Sequence, residues 1–111
     1  MDMALRPPSL EGRKDVFALF VEDDSVSPAH EPGSLIVVEK RPPRIGEYCV
    51  FEVLPDSPRG ERRALIKKLV AITPTVFRVA QLNPPENLEF PRAMVVNIHR
   101  VIPLKELLLH R

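Results

Sequence analysis

The 111-residue chain has no tryptophan, one tyrosine and one cysteine. A lone cysteine, Cys49, cannot close an internal disulfide and has no companion at metal-ligand spacing, so it reads as a core residue of a cytoplasmic protein. With Tyr48 the sole tyrosine, and with Arg41, Arg44, Arg59, Arg62 and Arg63 scattered without interleaved aromatics, a stacking platform for single-stranded nucleic acid is missing. An excess of one charge is missing too. Sixteen basic residues against 15 acidic leave a net charge of +1, which excludes a general electrostatic pull towards nucleic acid or membrane. No apolar run approaches the ~18 residues of a membrane span, and no signal peptide is recognisable. No cofactor motif is present. Glu22, Asp23, Asp24 and His30 have no regular ligand spacing and read as a solvated acidic turn rather than a metal site. His99 and His110 have no carboxylate partner recognisable from the sequence.

Proline is abundant. Thirteen prolines against four glycines, in a chain that is 44% apolar, mark many short elements with firm punctuation, which favours strands over helices. The length suits one domain with a core of its own. Residues 1–15 carry Pro7-Pro8 and little apolar periodicity, so they read as an extended arm or linker, and residues 16–111 as the domain. Apolar patterning predicts strands over 16–22, 34–39, 46–54, 62–71, 76–82 and 93–102. The first is apolar on both faces and is expected to be central. A polar, proline-rich stretch, 54–61, suits a hairpin, and 83–91 with Pro84-Pro85 reads as a loop. Pro103 opens a short helix to Leu109, with Leu104, Leu107 and Leu108 on one face.

The stretch Phe20 to Lys40 organises the rest. A strand runs into an acid-and-serine turn, then into a second apolar strand, with Ser25 at the hinge. A serine held between rigid strands can be set against a base, as an activated hydroxyl requires, although Asp, Ser and Pro are also the ordinary residues of a turn. Lys67 and Lys68 lie on a later strand. Lys67 shares a face with Leu65 and Leu69, Lys68 with Ile66 and Val70, so periodicity does not choose between them. A solvated lysine pair on an edge strand is the alternative to a base.

The spacing of Ser25, Pro28, Pro32-Gly33 and the apolar run Leu35-Ile36-Val37-Val38 resembles the nucleophile segment of the LexA-like serine-lysine autopeptidases. That family includes the LexA repressor, phage repressors with a C-terminal peptidase domain, and the UmuD protein. The segment Arg62 to Leu69 looks like the family's base-carrying strand, and the likeness extends from about Asp15 to Ile102 through Ile45-Gly46-Glu47 and Asn83-Pro84. The resemblance implies a mainly β, single-domain fold of the LexA and signal-peptidase type, built on a coiled sheet. It implies Ser25 as nucleophile, Lys67 as general base, and backbone N–H groups of Asp24 and Ser25 as oxyanion donors. It further implies a homodimer that takes its own upstream linker as substrate and reaches DNA only through a helix-turn-helix domain outside these residues. Such a chain is expected to be the regulatory domain of a phage-type or stress-response repressor.

Several positions depart from the family pattern. Asp23 replaces a glycine, Val26 a methionine and Ser34 the aspartate of P-G-D. Leu65 stands where a hydroxyl residue often precedes the base. The Ala-Gly or Cys-Gly bond that these proteins cut does not occur in the chain. An acidic side chain at Asp23 would favour the charged form of Lys67. A second reading is therefore the same fold kept as a dimerisation and regulatory module with weakened catalysis. An unrelated small β-barrel binding module is a third, which leaves the pattern at Ser25, Pro28, Gly33 and Lys67 without a reason.

Overall fold

A computed structural model describes residues 3–4, 16–55, 60 and 62–109. The strands are β1 (Met3–Ala4), β2 (Val16–Phe20), β3 (Leu35–Lys40), β4 (Tyr48–Val53), β5 (Arg63–Ile72), β6 (Val76–Leu82), β7 (Pro85–Pro91) and β8 (Val95–Val101), followed by the helix α1 (Leu104–Leu109). All eight strands join one antiparallel sheet in the order β1-β2-β3-β8-β4-β5-β6-β7. The fold is thus mainly β, as the punctuation by proline implied. The arm expected over residues 1–15 lies outside the described residues except for Met3–Ala4, which pair with Leu19 and Ala18. Among the described residues, no helix is long and apolar enough to cross a membrane.

The apolar side chains gather in three clusters. Leu19, Val21, Val26, Ile36, Val38, Val50, Ile66 and Val101 form the largest, which ties β2, β3, β4, β5 and β8 together. Cys49, Phe51, Leu69, Phe77 and Val79 form a second under β4, β5 and β6, with Phe90 of β7 edge-on to Phe51. Val16, Val37 and Ile102 form a third, against which Leu107 of α1 packs. Cys49 is fully buried, and burial pushes its thiol up to about 12, with the nearby Glu47 charge adding to the effect. Its low reactivity at neutral pH follows.

Two expectations need correction. β2 is not central: only the two-residue β1 flanks it on one side, and Phe20 at its end is exposed. The stretch 83–91 is not a loop either. Asn83 and Pro84 make a turn, and β7 then pairs with β6 along its whole length, from Leu82↔Pro85 to Val76↔Pro91. β7 is an edge strand with Pro85 first and Pro91 last, where the missing N–H groups are tolerated. Leu88 and Phe90 point to the core at the two-residue spacing of a strand.

Candidate active site

The hairpin between β2 and β3 carries a long excursion, residues 22–33, closed at its base by backbone bonds. Val21 N–H donates to the Ser34 carbonyl at 2.9 Å, and Gly33 N–H donates back to Val21 at 2.7 Å. Gly33 has φ +83°, in the left-handed region where a side chain is strained. That explains the glycine after Pro32. Inside the excursion, Val26 is fully buried in the largest core cluster, to which Ile66 also belongs. Ser25 precedes Val26, and Lys67 follows Ile66. That cluster anchors the chain next to both residues.

The result is a contact of 2.9 Å between Lys67 Nζ and Ser25 Oγ. Ser25 is 9% exposed and Lys67 5%, so the pair is screened from bulk water. Lys68, the alternative, is only half-buried. Burial pushes the Lys67 amine below its ordinary value; the Asp23 carboxylate opposes that shift, and Arg63 reinforces it. Desolvation prevails because an ammonium loses hydration that one partly solvated carboxylate does not replace. In this arrangement the charged amine donates to the hydroxyl. Once neutral, the amine has a free lone pair, and at the same separation it can accept the hydroxyl proton.

The backbone around Ser25 is equally constrained. Its carbonyl accepts N–H bonds from Leu82 at 2.6 Å and Asn83 at 3.0 Å. Its own N–H donates to Asp23 Oδ1 at 3.0 Å. That bond, from the Ser25 backbone, is the main reason the Asp23 carboxyl sits below the usual carboxylate range, with burial opposing and the Lys67 charge adding. The expected oxyanion donor at Ser25 is therefore already occupied by a carboxylate. Asp24, the other expected donor residue, has its side chain bound by Asn83 Nδ2 at 3.0 Å. Leu65 is half-buried and offers the amine no polar atom.

A second polar centre was not legible in the sequence. Arg100 on β8 is 4% exposed and directly opposite Glu39 on β3, to which it bonds at 2.7 and 2.8 Å. It also holds Glu106 of α1 through two bonds of 2.7 Å, and Glu47 at 3.4 Å. Arg41 joins through Glu39 and Glu47. His99, which had no partner recognisable in sequence, sits 3.3 Å from Glu52 and edge-on to Phe17. His30 is half-buried edge-on to Tyr48, and burial lowers its pKa. Among the described residues, no group of three or more His, Cys, Asp or Glu side chains is placed to hold a metal ion.

No family model matches the chain, and no solved structure matches it. A curated protein does: the chain is 33% identical over 103 residues to Repressor protein C of Rhizobium phage 16-3. The match covers 86% of this chain and 38% of that protein, so the chain spans well under half the length of its relative. Over most of its own length, this chain is similar to part of a phage repressor.

Proposed function

We propose that the chain is the regulatory domain of a phage-type transcriptional repressor and a serine peptidase that cuts its own upstream linker, with Ser25 as nucleophile and Lys67 as general base. The observation that carries this reading is the buried 2.9 Å contact between the hydroxyl and an amine whose pKa burial lowers. A hydroxyl is a weak nucleophile at neutral pH and needs such an acceptor. In the first step, Ser25 Oγ bonds the linker carbonyl carbon and its proton passes to the neutral Lys67 amine. The C–N bond then breaks, and the leaving amine takes that proton. Water next attacks the ester carbonyl and gives a proton to Lys67; the bond from the acyl carbon to Ser25 Oγ breaks, the linker leaves as its carboxylic acid, and Lys67 passes the proton back to Ser25 Oγ. The similarity to a phage repressor supports the regulatory half of the proposal.

One observation favours the second reading, a regulatory module that cuts slowly or not at all. Asp23 Oδ1 occupies the Ser25 N–H that would stabilise the oxyanion, and its charge favours protonated Lys67. The test joins the chain to an upstream linker containing an Ala-Gly bond and follows the cut by mass spectrometry. The parent is expected to cut at that bond, and Ser25→Ala and Lys67→Ala are expected to stay whole. A Ser25→Ala chain that cuts as fast as the parent would overturn the proposal.

A further inference from the structure

Asn83 closes the backbone around Ser25, yet the dyad chemistry gives it no task. It follows β6 and heads the turn into β7. Its main-chain N–H donates to the Ser25 carbonyl at 3.0 Å, next to the bond from Leu82. Its side-chain Nδ2 donates to Asp24 Oδ2 at 3.0 Å. One residue thus holds two successive residues of the excursion, one by its carbonyl and the other by its side chain. On the far side, Val26 is locked in the core.

We infer that Asn83 is a positioning residue for the nucleophile: it fixes the Asp24–Ser25 peptide so that the Ser25 hydroxyl stands within reach of Lys67. The inference rests on the proposed Ser25–Lys67 chemistry. The side-chain bond is solvent-exposed, and exposed polar pairs add little to stability. What the bond supplies is orientation, and a misplacement of about 1 Å at a reacting atom can cost on the order of 100-fold in rate. The chemistry also fixes which residues will serve. The position must donate to a carboxylate, so alanine loses the bond and aspartate sets two carboxylates against each other. Exchanging the two side chains, Asp24→Asn together with Asn83→Asp, restores the bond with the amide donor now on the excursion and the carboxylate on the turn.

The experiment measures how fast diisopropyl fluorophosphate labels the intact chain, read as mass gain. In that reaction the Ser25 oxygen bonds phosphorus, the P–F bond breaks, fluoride leaves, and the hydroxyl proton passes to Lys67. It needs no peptide substrate, so it reads the nucleophile alone. Asn83→Ala is expected to label about 10- to 100-fold more slowly, with the pH midpoint of the rate unchanged because Lys67 keeps its burial. Asn83→Asp is expected to be at least as slow, and the double exchange Asp24→Asn with Asn83→Asp to recover most of the parent rate. A loss of folding in Asn83→Ala leaves the decision to the exchange pair, since a folded double variant as slow as Asn83→Asp overturns the inference. So does an Asn83→Ala chain that labels at the parent rate. A parent that labels no faster than Ser25→Ala overturns the nucleophile reading itself, and this inference with it.

Discussion

Lys67 is where burial and charge oppose each other most sharply. Its folded pKa is lowered, chiefly by burial, so between that value and the ordinary lysine value the unfolded chain binds more protons than the folded one. Stability therefore rises with pH through that window, with a slope of at most ~1.4 kcal/mol per pH unit from this group. Lys67→Met removes this pH dependence. In urea unfolding, the variant is expected to be more stable than the parent near neutrality, with the gap closing towards pH 10; a gap independent of pH would show that the amine is not desolvated. Asp23 acts on the pair in two ways, and two substitutions separate them. Asp23→Asn keeps an oxygen for the Ser25 N–H and removes the charge, so the rate of linker cutting is expected to rise at lower pH with its plateau unchanged. Asp23→Gly removes both effects and is expected to raise the plateau as well, by about tenfold or more if the freed N–H becomes an oxyanion donor. Equal profiles for the parent and Asp23→Gly would remove Asp23 from the chemistry. The departure at Asp23 was visible in the sequence. Its bond to the N–H two residues on is the common Asx turn, and it could have been read there.

The strands differ in how plainly the sequence announced them. β6 runs Val76–Leu82, the range its alternation predicts, because it is bounded by Thr73-Pro74 on one side and Asn83-Pro84 on the other. β7 escaped because Pro84-Pro85 and Pro91 imitate a loop, although Leu88 and Phe90 carry the spacing of a strand. Val26 and Ile66, next in sequence to Ser25 and Lys67, sit far apart in the chain, so their sharing one core cluster depends on how the sheet is assembled. The Arg100 cluster was illegible for the same reason: Glu39, Glu47 and Glu106 come from β3, the approach to β4, and α1. It predicts unequal costs. Glu39 is buried, and Glu39→Ala leaves the Arg100 guanidinium short of its cross-strand partner, at a cost of about 3 kcal/mol. The Glu106 side chain is 42% exposed, and Glu106→Ala leaves Arg100 its bonds to Glu39 and Glu47, so about 1 kcal/mol is expected, with α1 released first. Equal losses in denaturant unfolding would contradict this division.

At the scale of the whole molecule, the near balance of charge leaves association to apolar surface. β8 is paired with β4 along one edge, from Val95 to Arg100, and with β3 along the other only from His99 to Val101. Leu104 and Leu108 of α1 stay 69% and 62% exposed. We propose that these leucines seat a second copy of the chain. Light scattering at tens of micromolar, on the order of a useful affinity, is expected to show a dimer that Leu104→Glu with Leu108→Glu converts to monomer; a parent that is monomeric there would contradict the proposal. The central claim is that a buried lysine removes the proton of Ser25, and the most direct test is the rate of linker cutting against pH for the parent and Lys67→Ala. The parent rate is predicted to climb with pH and level off below the ordinary lysine value, while Lys67→Ala stays uncut throughout. A Lys67→Ala chain that cuts as fast as the parent at every pH would contradict the account.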